Sequence, residues 1–238
     1  MPATSVEVGW LEQSEADLPA DDGWLSAGER ARLEGLRFPK RRLDWRLGRW
    51  TAKHAVARYL TLPDDSVVLA KLEIRAAPDG APDVVFDGEP ADVSMSLSHR
   101  DGRAMCAVAM PGTELGCDLE LIEPRSDAFV ADYFTAEEQA LVAGTPVDLR
   151  PRMTTLLWSA KESALKALRQ GLRLDTRCVT VELPEAEPAG LWHALQVRGQ
   201  GRRFDGWWSA DGNFVRTVVA LYCMRCASPR YSPPLSLS

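Results

Sequence analysis

Polar and apolar residues alternate without a break along VSMSLSH, residues 93–99: Val93, Met95 and Leu97 fall on one face, and serines fall on the other. That period of two predicts a strand with one buried face. Asp101-Gly102 follows as a tight hairpin signal, and RAMCAVAM is the return strand. Pro111-Gly112 then turns the chain into ELGCDLEL, so residues 93–122 are expected to form a three-strand meander.

A helical period governs other stretches. Ser26-Ala27-Gly28-Glu29 has the form of a capping box and predicts a helix over about 27–37, ended by Pro39. RRLDWRLGRWTAKHAVARYL predicts a long helix ending before Pro63, with Leu43, Leu47 and Trp50 on one apolar stripe. The same helix carries a wholly basic stripe, Arg42, Arg46, Arg49 and Lys53. Residues 76–92, rich in Pro, Gly and Asp, are expected as loop with short extended pieces. In the second half a helical segment starts near Thr135, and a helix over about 152–170 stops at Gly171 as its C′ residue. Four strand candidates follow: CVTVEL, LWHALQV, RRFDGWWS and FVRTVVALYC. Each half thus reads as helices packed with a small antiparallel sheet. The expected class is α+β with two similar lobes, 1–113 and 114–226, and a Pro/Ser-rich disordered tail at 227–238. No literal sequence repeat stands out, so the lobe similarity rests on element order.

Composition narrows the function classes. The 238 residues suffice for one large domain or two small ones at ~100–200 residues each. No apolar run approaches the ~20 residues of a membrane span, so no membrane partner is expected. The opening MPATSVEVGWLEQSEAD lacks the basic and apolar regions of a signal peptide, and a cytoplasmic protein is expected. The odd count of five cysteines agrees with a reducing compartment, and the lone CxxC at Cys223–Cys226 lacks the second pair a structural zinc needs. A net charge of −6 argues against a nucleic-acid partner. Arginine outnumbers lysine 23 to 5, so each lysine carries more information.

Two of those lysines flank a glutamate. In LLWSAKESALKALRQG, residues 156–171, Leu156, Leu157, Trp158, Ala164, Leu165 and Leu168 supply packing material, with Lys161, Glu162 and Lys166 set among them. Asp118 and Glu120 sit at i and i+2 of a strand, so both leave one face while Cys117, Leu119 and Leu121 take the other. Carboxylates about 7 Å apart repel unless a cation lies between them. They are either a solvated sheet face or ligands for a hard divalent cation. Glu162 adds a third carboxylate if its helix crosses that face, with Lys161 and Lys166 beside it to meet phosphate. Alternatively, Glu162 and Lys166 form an ordinary i, i+4 pair worth ~0.2–0.5 kcal/mol. Ser98-His99 ends a strand before a tight turn. With no GxSxG elbow, His99 fits a phosphate contact better than a hydrolase triad. The basic stripe favours an anionic partner, and without a Walker loop or GxGxxG a nucleotide is held by side chains.

Together these pieces resemble the 4′-phosphopantetheinyl transferases, in particular the long pseudo-dimeric type that activates carrier proteins of peptide and polyketide synthases. LSHRDG is similar to the family's Ser-His block, GCDLE to G-x-D-x-E, YFTAEE to F-x-x-x-E, and WSAKESALK to W-x-x-K-E-x-x-x-K. They stand in the family's order, and the likeness extends over roughly residues 5–225. The resemblance implies transfer of the phosphopantetheine arm of coenzyme A, as substrate, to a serine of an apo acyl or peptidyl carrier protein, releasing adenosine 3′,5′-bisphosphate. It implies a role in secondary metabolism and a monomer whose two lobes replace a subunit interface. By motif, Asp118, Glu120 and Glu162 become the ligands of Mg²⁺, with Mn²⁺ able to replace it. Glu162 and Lys166 are catalytic; Lys161, Lys166, Ser98 and His99 contact phosphates; and Arg41, Arg42, Arg46 and Arg49 take the 3′-phosphate. Motif position picks Glu138 as the base, although Glu138 is also N3 of the Thr135 capping box, which leaves Glu137 or a metal-bound water as alternatives. One departure stands out. Where relatives carry Gly-Lys-Pro or Gly-Arg-Pro, this chain has Gly80-Ala81-Pro82, so either Arg75 or Arg103 replaces the cation or coenzyme A affinity is weaker. A non-catalytic module that binds carrier protein or coenzyme A is the alternative reading.

Overall fold

The computed structural model describes residues 7–170, 173–185 and 190–221. Cys223–Cys226, Gly171 and the 227–238 tail, on which expectations were placed, lie outside the described residues. Two compact units divide between Thr113 and Glu114.

The first unit runs β1 (Val8–Ser14), α1 (Ala27–Glu34), α2 (Pro39–Tyr59), α3 (Ser66–Lys71), β2 (Leu72–Ala76), β3 (Pro82–Phe86), β4 (Glu89–Pro90), β5 (Ser94–Arg100) and β6 (Arg103–Ala109). Its sheets are ordered β1-β6-β5 and β2-β3-β4. Leu11, Ala52, Val56, Leu72, Ile74, Met95, Cys106 and Val108 share one core cluster. The Asp101-Gly102 hairpin forms as expected, both residues at positive φ (47° and 73°).

The expected meander stops at its second strand. β6 has its two edges taken by β5 and by β1, a strand the patterning had not separated from the N-terminal segment. The third strand, β7 (Glu114–Leu121), pairs instead with β11 (Phe214–Leu221) in the second unit. α1 also ends earlier than expected, at Glu34. Gly35 caps it, and the Arg42 guanidinium donates to the carbonyls of Leu33 in its last turn and of Leu36 just beyond. Pro39 occupies the first turn of α2, where its missing N–H costs nothing.

The second unit adds α4 (Asp127–Tyr133), α5 (Ala136–Gly144), α6 (Arg150–Ala167), β8 (Val179–Glu182), β9 (His193–Gly199) and β10 (Arg202–Asp211). Its five strands are ordered β7-β11-β10-β9-β8. Leu157, Ala160 and Ala164 of α6 pack with Val181, Leu195, Val197, Phe204 and Val219 of the sheet. α6 ends in a Schellman turn: Gln170 N–H bonds Leu165 O at 3.1 Å and Arg169 N–H bonds Lys166 O at 2.9 Å. Arg169, at φ 55°, thus holds the C′ place expected for Gly171.

The protein is α+β, and its two units repeat one device that element order alone did not reveal. Trp50-Thr51-Ala52-Lys53 in α2 matches Trp158-Ser159-Ala160-Lys161 in α6. Both lysines are fully buried. Lys53 Nζ donates to Trp24 O and Leu69 O at 2.9 Å each and pairs with Glu29. Lys161 Nζ donates to Thr176 O at 2.9 Å and Val179 O at 2.6 Å and pairs with Glu138 at 2.8 Å. Both glutamates are N3 of a capping box, under Ser26 and Thr135. Their other oxygens accept from strand N–H groups, Ile74 at 3.1 Å and Val181 at 2.8 Å. A buried ammonium with three acceptors is tolerable because none of its charge is left unpaired.

Candidate active site

Cys117 and Leu119 are buried on one face of β7, and Asp118 and Glu120 leave by the other, the face on which α6 packs. α6 brings Glu162 and Lys166 to that face. Lys166 Nζ donates to Asp118 Oδ1 at 2.7 Å and to Cys117 O at 3.0 Å. The Trp158 indole N–H donates to Glu120 Oε1 at 3.1 Å. Arg125, in the loop after β7, lies 3.2 Å from Glu123 Oε1 and 3.8 Å from Glu120 Oε2. Its guanidinium stacks over Phe129 at 5.2 Å.

The charges are unbalanced. Burial, then Asp118 and to a lesser degree Glu120, push the Glu162 carboxyl up to about 7 against the opposing pull of Lys166. Its Oε1 is buried without a hydrogen-bond partner. Burial works against the Lys166 ammonium, but Asp118, followed by Cys117 and Glu162, outweighs it and raises its pKa. Among the described residues, no three His, Cys, Asp or Glu side chains are arranged to hold a metal ion as they stand. Lys166 occupies the cation position at Asp118.

Asp118, Glu120, Glu162 and Lys166 are therefore brought together, and Lys161 is not. Adjacent residues on a helix point about 100° apart, and Lys161 turns into the core, with its pKa lowered by burial. It is corrected from phosphate ligand to structural cation. Glu138 is corrected likewise: it is 1% exposed, its Oε1 bonds Val181 N–H, and its Oε2 bonds Thr135 N–H at 2.8 Å and pairs with Lys161. No oxygen of Glu138 is left for a substrate proton. Glu137, the other side-chain candidate, is exposed, with its pKa lowered by hydrogen bonds at the start of α5.

The remaining expected contacts belong to the first unit. Ser98 is buried and His99 exposed at the end of β5. Of the basic stripe, Arg42 caps α1; Arg46 bonds Asp22 at 2.8 Å together with the carbonyls of Pro19 and Asp21. Arg49 lies 3.9 Å from Glu29 and stacks over Trp45 at 4.9 Å. The stripe that favoured an anionic partner is thus largely balanced by Glu29, Asp22 and backbone carbonyls, and Arg41 is the exposed one of the four arginines expected at the 3′-phosphate. Arg75 pairs with Glu73 and Arg103 with Glu12, so both cations proposed to replace Ala81 already hold carboxylates. Sequence reasoning missed Trp158 and Arg125 as carboxylate partners. Trp158 had been counted as packing, although a buried indole N–H generally requires an acceptor.

Residues 114–205, which span β7, α6 and most of the second sheet, match the family model of the 4′-phosphopantetheinyl transferase superfamily. The chain is 28% identical over 195 residues to the 4′-phosphopantetheinyl transferase HetI of Nostoc sp., covering 79% of each protein. Among solved structures it is similar to a holo-(acyl-carrier-protein) synthase from Bacillus anthracis in complex with CoA (3′,5′-ADP), at 22% identity and a TM-score of 0.38 over 45% of this chain and 97% of that one. Another similar structure is the holo-[acyl-carrier-protein] synthase of Thermotoga maritima, at 20% identity and a TM-score of 0.35 over 54% and 74%.

Proposed function

We propose that the chain is a member of the 4′-phosphopantetheinyl transferase superfamily and transfers the 4′-phosphopantetheine arm of coenzyme A to a serine of an apo acyl or peptidyl carrier protein. The serine oxygen forms the new bond to the phosphorus that carries the pantetheine. The P–O bond to the nucleotide half breaks, adenosine 3′,5′-bisphosphate leaves, and the serine proton passes to a base. The observation that carries this reading is the meeting of Asp118, Glu162 and Lys166 on one face inside the stretch matched by the family model.

Three carboxylates are hard-oxygen donors, and the orphaned Oε1 of Glu162 gives one of them a lone pair to spend, so the residues fit a divalent cation. Asp118, Glu120 and Glu162 would hold Mg²⁺, which when bound neutralises charge on the pyrophosphate. Trp158 and Arg125 orient Glu120. Lys166 offers its ammonium to the departing phosphate. With Glu138 closed off and Glu162 committed to the cation, exposed Glu137 is the remaining side-chain candidate for the serine proton. Of the four arginines expected at the 3′-phosphate, Arg41 at the start of α2 is the exposed one. Carriers of peptide and polyketide synthases are the proposed substrate class.

Transfer from coenzyme A to an apo carrier protein by wild type, Asp118→Ala and Glu162→Ala tests this assignment. Both variants are expected to fold and to transfer nothing. Near-normal transfer by either, with magnesium present, would remove the carboxylates from the mechanism.

A further inference from the structure

A bridge of hydroxyls lies between α6 and the strands beneath it. Ser159, Ser163 and Thr217 are all fully buried. Thr217 Oγ1 is 2.8 Å from Ser159 Oγ and 2.7 Å from Ser163 Oγ, and Ser163 also donates to Thr217 O at 3.3 Å. Thr217 on β11 is the register partner of Asp118 on β7. Beside this bridge the helix backbone rests directly on Gly116: a Cβ there would stand 1.8 Å from Ser163 O and 2.9 Å from Ala167 N. Glu162 and Lys166 immediately precede those two contact residues.

Packing a helix on such strands does not require the bridge. In the first unit the shared Trp-[Ser/Thr]-Ala-Lys stretch sets Thr51 at the place of Ser159 and Ala55 at that of Ser163. Strand register, Gly9 opposite Val108 and Gly116 opposite Val219, sets Cys106 at the place of Thr217 and Leu11 at that of Asp118. There Thr51 Oγ1 is buried without a hydrogen-bond partner, and Ala55 has no hydroxyl to offer. The bridge accompanies the carboxylate cluster, and the positions that build it are changed where the carboxylates are replaced.

We propose that Thr217, acting with Ser159 and Ser163, is a positioning residue for phosphopantetheinyl transfer. Its hydroxyl fixes the axial register of α6 on β7 and β11, and with it the spacing of Glu162, Lys166 and Asp118. Apolar contacts alone tolerate sliding, whereas hydrogen bonds of 2.7 and 2.8 Å do not. A slip of one residue moves a helix by about 1.5 Å, enough to open the 2.7 Å Lys166–Asp118 bond. Misplacement by about 1 Å can cost a reaction on the order of 100-fold. This inference rests on the transferase reading.

The test compares wild type with Thr217→Val, which removes the hydroxyl at nearly constant shape, and Thr217→Ser, which keeps it. Thr51→Val, the counterpart in the first unit, serves as control. kcat and KM for coenzyme A are measured with an apo carrier protein and Mg²⁺, and Mn²⁺ affinity is measured separately by paramagnetic resonance. Thr217→Val is expected to lower kcat by about tenfold or more with KM for coenzyme A nearly unchanged and with weaker Mn²⁺ binding. Thr217→Ser is expected to restore both, and Thr51→Val to leave both unchanged. Should Thr217→Val fail to fold, Ser163→Ala breaks the same bridge from the helix side and carries the same expectations. A wild-type kcat in Thr217→Val, or a Thr217→Ser variant as slow as Thr217→Val, overturns the positioning role and leaves the transferase reading standing. Absence of transfer by the wild type itself overturns the transferase reading. In that case Mn²⁺ binding weakened in Thr217→Val alone sustains the positioning role, and equal binding in all three proteins overturns it too.

Discussion

Replacing Glu138 by alanine separates a structural glutamate from a catalytic one. The substitution removes the carboxylate that Lys161 Nζ meets at 2.8 Å where both side chains are shut from solvent. It also removes the acceptor for Val181 N–H at 2.8 Å and for Thr135 N–H at 2.8 Å. Deleting one partner of a buried ion pair costs about 3–5 kcal/mol, because the other charge stays behind without compensation. At about 2–4 °C per kcal/mol for a chain of this size, the melting temperature falls by roughly 6–20 °C. Scanning calorimetry reads that loss, and transfer assayed well below the variant's melting point reads the chemistry. Glu138 has no oxygen left for substrate, so the folded variant transfers at close to the wild-type rate. Glu138→Ala combined with Lys161→Met removes both charges and recovers much of the lost stability. A variant that melts like wild type refutes the buried-pair argument. A well-folded variant slowed by about 100-fold or more returns Glu138 to the chemistry as a base.

The remaining predictions concern pH and the other charged groups. Burial lowers the Lys161 pKa even with Glu138 present. In Glu138→Gln the folded state therefore sheds the Lys161 proton at lower pH than the unfolded state, and stability of that variant rises with pH on the approach to the ordinary lysine value of 10.5. Glu162 behaves oppositely: its folded pKa of about 7 lies above the usual 4.5, so the folded state binds more protons between those values and stability falls as pH rises through that window. Glu162→Gln removes this penalty, on the order of 2–3 kcal/mol above pH 7, so it is expected to melt higher than wild type at pH 8 while transferring nothing; an unchanged or lower melting temperature contradicts the origin assigned to the shift. Arg41→Ala is expected to raise KM for coenzyme A by about tenfold at unchanged stability, whereas Arg46→Ala, which loses Asp22 and two carbonyls, is expected mainly to lower the melting temperature. The reverse pattern in a Michaelis–Menten and melting comparison would exchange their roles.

Local signals in the sequence were read correctly where the controlling interactions are local. The Ser26 and Thr135 capping boxes and the Asp101-Gly102 hairpin depend on residues a few positions apart, and they form where spacing placed them. The partner of β7 is β11, nearly a hundred positions along the chain, and no local pattern could name it. The meander expectation failed for that reason, and also because β1 had not been seen to claim the free edge of β6. At the site, the i, i+2 spacing of Asp118 and Glu120 and the Glu162-to-Lys166 spacing were enough to bring these four side chains to one face. Spacing did not reveal that Lys161 turns inward, since motif position treats neighbouring charges alike. A usable signal was present: the same Trp-[Ser/Thr]-Ala-Lys stretch, with a capping-box glutamate upstream, occurs in both halves. A charged pair repeated in both units, only one of which carries the carboxylate face, belongs to the fold before it belongs to the chemistry.

The most direct measurement is the intact mass of an apo carrier protein after incubation with this protein, coenzyme A and Mg²⁺, alongside a chelated control. A gain of one phosphopantetheine on the carrier serine is expected, lost on chelation and absent with Glu162→Gln. A carrier that keeps its apo mass across a range of acyl and peptidyl carriers, with the protein folded and coenzyme A bound, would contradict the transferase reading.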